Sequence, residues 1–406
     1  MQESYRDRFV VDDPKLVYLD GNSLGRLPKA TVEILRQLVE EQWGKNLIRG
    51  WNEGWLNLPQ RLGDKIGVVI GAKPGETIVC DSTSVNLFKL AWAMFHAASN
   101  RNKIVSDSAN FPSDLHILSG VVEHSTCSAE LVTLDLDDLD SEQTLAQLSQ
   151  VVDDQTAFVA LSHVQFKSGK LFDLAKVTDL VHAHGSRIIW DLSHSVGAVP
   201  INLADANVDA AVGCTYKYLN GGPGAPAFLS VRRELIDQFD NPIQGWFGTQ
   251  NPFAFSTQFQ PHAAIDRFAV GTPPVISMAA IEPGLDLVLE AGIERLRNHS
   301  LQLSAQLIEA FDKHLSKLGY SLLTPRDPDS RGSHVSFGHP VGWQITQDLI
   351  GNHAIIPDFR EPNVIRLGIA PLYNTQEEIE IAIQALIDSV QLKTYEAFSA
   401  ERTGVT

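Results

Sequence analysis

Through the middle of the chain, short apolar runs alternate with stretches of helical period. TIVC at 77–80, KIVS at 103–106, AELVTL at 129–134, TAFVALSHV at 156–164, RIIWD at 187–191 and VDAAVGCT at 208–215 are β-rich and bounded by polar turns. Between them, VNLFKLAWAMFHAA at 85–98 and LAKVTDLVHAHG at 174–185 repeat apolar positions at amphipathic-helix spacing. Strands alternating with helices predict βαβ units and a mostly parallel sheet with helices on both faces. A helix is predicted over 30–43. Past Pro274 the pattern turns helical over 276–315, and a smaller strand-and-helix region follows. The reading is a large α/β domain over 61–285 and a smaller α+β domain built from 1–60 and 286–406.

Composition narrows the function. The 406 residues are 44% hydrophobic and 20% charged, which suits a soluble globular chain with a sizeable core. Lys and Arg number 32 against 49 Asp and Glu, a net charge of −17. That balance argues against a nucleic-acid partner, whose phosphates call for basic surface. It leaves room for a small anionic substrate held by a locally placed arginine. No apolar run approaches the roughly 20 residues that span a bilayer. The opening MQESYRDRFV lacks the apolar core of a signal peptide, so a cytoplasmic, membrane-free chain is expected. Three cysteines, Cys80, Cys127 and Cys214, make neither a disulfide framework nor a metal-ligand pair, and no metal is expected.

Gly222-Pro223-Gly224-Ala225-Pro226-Ala227 matches a dinucleotide-loop pattern in the wrong setting. It precedes a strand-like AFLSV instead of opening a helix, and its prolines remove N–H donors. The informative segment is 187–227. RIIWD ends in Asp191, with His194 just beyond, and VDAAVGCT runs directly into Tyr216 and Lys217. Ligands in open α/β sheets bind beyond the carboxyl ends of strands, where these side chains would gather. A lysine that can join an aldehyde, beside a carboxylate that keeps a pyridine nitrogen protonated, suits pyridoxal 5'-phosphate. A helix-capping Asp and a structural Lys–Asp pair are the plainer alternative for either residue taken alone. DSTSVN at 81–86 follows a strand and opens a helix, so Thr83 and Ser84 are candidates for a phosphate cradle or a simple N-cap. Phe111, after the next strand, could stack on a flat ring or fill the core.

LDGNSLGRLP (19–28), WNEGW (51–55), DSTSVNLFK (81–89), NFPSD (110–114), WDLSHSVGAVP (190–200), GCTYKYLNGGPGAPAF (213–228), QGWFG (244–248), RFAVGTPPV (267–275) and NVIRLGIAPLYN (363–374) run from end to end of the chain. Together they resemble the kynureninase family, pyridoxal-phosphate enzymes of fold type I. The resemblance implies that Lys217 carries the cofactor, Asp191 faces its ring nitrogen, His194 lies beside it and Phe111 stacks on it. It implies phosphate or other cofactor contacts for Thr83, Ser84, Asp114, Ser162, Tyr216, Trp246 and Thr272. Trp246 and Thr272 would come from a neighbouring copy, which implies a homodimer. Arg366 would grip the substrate α-carboxylate through its guanidinium fork, and Asn22, Ser23 and Trp51 would lie on the substrate side.

The implied reaction is hydrolytic Cβ–Cγ cleavage of L-kynurenine to anthranilate and L-alanine, in tryptophan catabolism or NAD biosynthesis. Tyr216 could carry a proton in that step or bind phosphate alone. Position 272 is Thr where some relatives place Asn. Trp51 stands where some animal relatives have His, and an apolar indole favours an unsubstituted aniline ring over that of 3-hydroxykynurenine. Other fold type I chemistries stay open. An aminotransferase shares the Lys and Asp, whereas a cysteine desulfurase needs a thiol from the C-terminal half, and the last cysteine is Cys214. A binding protein on a decayed scaffold is a further alternative.

Overall fold

The computed structural model describes residues 5–98, 100–125, 128–402 and 404; Cys127 lies outside them. A short β1 (Val17–Tyr18) and α1 (Lys29–Gln37) open the chain. The helix predicted over 30–43 continues past α1 as a wider π-type helix to Asn46, and α2 (Leu58–Ile70) follows.

Then come β2 (Thr77–Val79), α3 (Thr83–Ala97), β3 (Lys103–Asp107), α4 (Pro112–Glu123), β4 (Glu130–Leu134), α5 (Ser141–Val151), β5 (Thr156–Ser162), α6 (Leu174–Ala183), β6 (Arg187–Asp191), β7 (Ala210–Gly213) and β8 (Phe228–Val231). Among the described residues these strands form one sheet, ordered β2-β8-β7-β6-β5-β3-β4. β4, β3, β5, β6 and β7 are parallel, and β8 runs antiparallel to both β7 and β2. This is the α/β, mostly parallel fold the pattern predicts.

Side chains alternate across the sheet, so each inner strand feeds two cores. On β6, Ile188 and Trp190 enter one core, which Leu62 and Ile66 of α2 and Val177 and Val181 of α6 share. Ile189 enters the other, with Leu87, Leu90 and Met94 of α3 and Leu118 of α4. The indole N–H of Trp190 donates to Thr178 Oγ1 at 3.2 Å, so the buried ring is satisfied.

The predicted long helix is broken into α7 (Val275–Ala279), α8 (Ile281–Ala291) and α9 (Ile293–Lys313). The second break falls at Gly292, whose φ of 78° is hostile to a helix. β9 (Ser321–Leu322), β10 (His334–Gly338), α10 (Gly342–His353), β11 (Ile355–Ile356), β12 (Asp358–Arg360), β13 (Val364–Gly368) and α11 (Gln376–Gln391) complete the chain. A four-stranded antiparallel sheet, β12-β13-β10-β9, packs on α9, α10 and α11. β1 pairs with β11, and Asp20 bridges to Gly368, so the N-terminal segment is tied to this smaller sheet.

Candidate active site

Strands β5, β6 and β7 end side by side, and Ser162 and Asp191 are register partners at the last step of their ladder. Lys217 sits four residues past the end of β7, in a loop folded on itself. The N–H of Gly221 donates to the Thr215 carbonyl at 2.9 Å, and Thr215 Oγ1 donates to the Pro226 carbonyl at 2.6 Å. The N-terminal segment presses on the same loop, with the Gly25 N–H donating to the Tyr216 carbonyl at 2.8 Å. A Cβ at Gly25 would lie 2.4 Å from the Lys217 carbonyl, so only glycine fits there.

The Lys217 ammonium is buried 3.2 Å from His194 Nε2, with its Nζ 5.9 Å from the centre of the Phe111 ring and 6.0 Å from that of Tyr216. Burial, then the charges of Lys217 and Arg366, push His194 well below its ordinary value. A neutral imidazole beside a lysine accepts its proton in a hydrogen bond and repels it less than imidazolium would.

Next to this amine, Asp114 and Asp191 hydrogen-bond to each other. Burial first, then the charge of Asp191, hold the Asp114 carboxyl well above the usual carboxylate range. Asp191 Oδ1 also accepts the Ser193 N–H at 2.8 Å. Asp114 is delivered by α4, whose Pro112 is preset for a first helical turn. Ser162 Oγ bonds the Asn110 side chain, which fastens this entry to the end of β5.

α3 starts at Thr83, two residues before its predicted start, because Ser82 caps it by accepting the Val85 N–H at 3.3 Å. Thr83 and Ser84 thus occupy the first turn, whose N–H groups have no partner inside the helix. The Asp81 carbonyl accepts the Ala227 N–H at 2.8 Å, so this turn adjoins the loop that carries Lys217. The phenol of Tyr216 lies against Cys214, whose charge and the burial around it raise the Tyr216 pKa.

The other wall comes from the small sheet. Asp358 and Arg366 are register partners, as are Ser336 and Arg366, and His334 and Gly368, so these positions share one face. Val335, Phe337, Ile365 and Leu367 occupy the opposite face and enter the small core. Arg366 is 1% exposed. It donates to the Phe166 carbonyl, to Ser23 Oγ at 3.1 Å and to Asp358 Oδ2. Its fork is therefore partly occupied from within the chain, and Nε is left without a partner. Asn22 is fully buried with neither amide atom bonded, wedged so closely to Gly368 that a Cβ there would lie 1.7 Å from Asn22 Oδ1.

Three of the sequence candidates lie apart from this cluster. Trp51 packs edge-on to Trp55 at 5.4 Å and lies 6.3 Å from Phe247. Trp246 stacks on Phe255 and donates to the Pro252 carbonyl at 2.6 Å, and Thr272 is exposed. Among the described residues no hydrogen bond or ring contact joins any of the three to Lys217. Sequence reading missed Asp20, Asp358 and His334. The available signal was polar residues alternating with apolar ones in HVSFG and VIRLG, which marks strands with one apolar face and one polar face.

The C-terminal part of the chain, residues 296–386, matches the model of the kynureninase C-terminal domain. Kynureninase of Pseudomonas fluorescens is 42% identical over 385 residues, covering 94% of this chain and 90% of that protein. The chain belongs to the kynureninase family. Kynureninase of Burkholderia pseudomallei is 40% identical over 397 residues, covering 96% of this chain and 93% of the relative. Among solved structures, a cysteine desulfurase from Thermococcus onnurineus superimposes with a TM-score of 0.80 at 20% identity, over 93% of this chain and 95% of that one. At that identity the likeness speaks for a shared fold type I architecture and for nothing in the reaction. The kynureninase family and the desulfurases share this scaffold, and here the last thiol, Cys214, is buried with its pKa raised by that burial.

Proposed function

We propose that the protein is a pyridoxal-phosphate-dependent kynureninase that hydrolyses L-kynurenine to anthranilate and L-alanine. The observation that carries the reading is the buried Lys217 amine, held by neutral His194 beside the adjoining carboxyls of Asp114 and Asp191. Family membership narrows that site to this reaction.

The residues present fit the cofactor. Asp191, at the end of β6, offers carboxyl oxygens that can accept a hydrogen bond from a ring N–H. The first turn of α3 offers free N–H groups and the hydroxyls of Thr83 and Ser84 to a phosphate. When bound through its aldehyde to Lys217, pyridoxal phosphate supplies an electron sink. Phe111 is the side chain to stack on its ring, and Ser162 and Tyr216 are further contacts. Trp246 and Thr272, remote from Lys217 within one chain, are read as reaching the site of a second copy in a homodimer. The exposed aromatics Trp246, Phe253 and Phe255 support such an interface.

In this reading residues 61–285 carry the cofactor, and 1–60 with 286–406 carry the substrate anchors. Arg366 binds the α-carboxylate, while Asn22 and Ser23 line the same end. Lys217, with its amine free, would take the Cα proton, and His194 would orient it. Asp191 keeps the ring nitrogen protonated while that charge develops. Tyr216 delivers a proton when water adds to the γ-carbonyl and Cβ–Cγ breaks. Trp51, which packs near Phe247 next to Trp246, is read as reaching the aryl side with that segment and as favouring kynurenine over its 3-hydroxy derivative. The cytosol is the proposed compartment; the described cysteines, Cys80 and Cys214, are free.

The test is incubation of the purified holoenzyme with L-kynurenine, without a keto-acid acceptor, and mass spectrometry of the products. Anthranilate with stoichiometric alanine supports the reading. Turnover that requires an acceptor identifies an aminotransferase instead.

A further inference from the structure

One side chain facing the site has no role in the account above. His334, on β10, is fully buried, and its ring centre lies 5.9 Å from that of His194. Neither of its ring nitrogens makes a hydrogen bond of ordinary length and angle, though the Lys167 backbone carbonyl draws on the ring. Its neighbours on the same sheet face are engaged, Ser336 with the Lys167 carbonyl and Arg366 with Phe166, Ser23 and Asp358. Buried polar atoms are almost always paired, so an unpaired one at a ligand site calls for a partner that arrives with the ligand.

Two more unpaired groups surround the same spot. Arg366 Nε lacks a partner, and so does the whole amide of Asn22, which abuts Gly368, the register partner of His334. Burial and the cations Arg366, Lys217 and Arg360 keep the His334 ring neutral, and only the nearby Lys167 carbonyl pulls the other way. The ring therefore offers one N–H donor amid positive charge, a setting for an anion.

We propose that His334 donates a hydrogen bond to the α-carboxylate of the substrate, alongside the free Nε of Arg366. The inference rests on the kynureninase reading, which makes the ligand an α-amino acid. Arg366 supplies charge, and His334 fixes the tilt of the carboxylate.

The experiment uses holoenzyme and the two halves of the substrate separately. L-Alanine binding is followed by the change it causes in cofactor absorbance, and anthranilate is measured as a competitive inhibitor of kynurenine turnover. His334→Leu should weaken L-alanine by roughly 10- to 100-fold, the worth of one hydrogen bond to a charged group. Anthranilate inhibition should stay unchanged, and His334→Gln, which keeps an N–H, should recover most of the alanine affinity. Unchanged alanine binding in His334→Leu overturns the proposal. So does an equal weakening of both ligands, which marks a general structural role. If His334→Leu does not fold, His334→Met is held to the same outcomes. A wild-type protein that binds L-alanine but leaves kynurenine intact defeats the functional reading alone. One that cleaves kynurenine while His334→Leu binds alanine normally defeats this inference alone.

Discussion

Arg366 and Asp358 form an ion pair in which each side chain is 1% exposed, and Asp358 also holds Arg360 at 2.8 Å. Removing one member of such a pair strands the other as a buried charge. Asp358→Ala should therefore destabilise the protein by about 3–5 kcal/mol in urea unfolding. Asp358→Asn, which keeps a hydrogen-bonding shape, should cost less and raise KM more than it lowers kcat. Equal stability of the alanine variant and the parent would show that the pair is solvated in solution.

The carboxyls around the site make stability fall as pH rises. Burial raises Asp114, and it pushes Asp20 and Asp107 up to about 6. Between about pH 4, where an unfolded Asp titrates, and these raised values, the folded chain holds protons that the unfolded chain has lost. Its advantage is complete below pH 4 and declines through pH 6 and beyond. Cofactor-free protein should show a falling Tm across that window, and Asp114→Asn should flatten the slope. A Tm in the variant that tracks the parent at every pH would contradict the raised Asp114 carboxyl.

Lys217→Ala should abolish turnover and the absorbance of covalently held cofactor together. Tyr216→Phe should keep the absorbance and lower kcat by roughly 100- to 10,000-fold, the range for loss of a general acid or base. If Tyr216→Phe instead loses cofactor with little change in kcat at saturating cofactor, the phenol serves phosphate binding only.

Trp51 sits with Trp55 and Phe247 in an aromatic group that presents no hydrogen-bonding acceptor ring. Trp51→His should raise kcat/KM for 3-hydroxykynurenine relative to kynurenine by roughly tenfold, the value of one added polar contact. An unchanged ratio places Trp51 away from the aryl group.

Gly368→Ala should push Asn22 off its place, because the new methyl would lie 1.7 Å from Oδ1 and 3.2 Å from the Asn22 backbone nitrogen. Overpacking of this kind costs roughly 1–3 kcal/mol. A lowered Tm with raised KM is the expected pair of effects, read by thermal unfolding and steady-state kinetics.

Local chemistry was enough to read much of this molecule from its letters. The apolar runs at 156–162 and 187–191 became β5 and β6 because a strand buried on both faces must be apolar at successive positions. The strand-end rule gathers Asp191 and Lys217 at one edge of the sheet, since chain direction in a parallel sheet fixes which ends meet. A Ser/Thr cap is legible in DSTSVN, but only the folded helix shows that Ser82 takes the Val85 N–H and so starts α3 two residues before the start that the apolar pattern predicts.

Tertiary structure alone decided the rest. Asp358, Arg366 and His334 share a face only because β12, β13 and β10 pair in a register set by contacts distant in sequence. Asn22 reaches that face because Gly368 leaves room for it, across more than 340 residues of chain. Burial then sets which groups are charged, so the raised Asp114 carboxyl and the neutral rings of His194 and His334 belong to the folded state and have no counterpart in the sequence pattern.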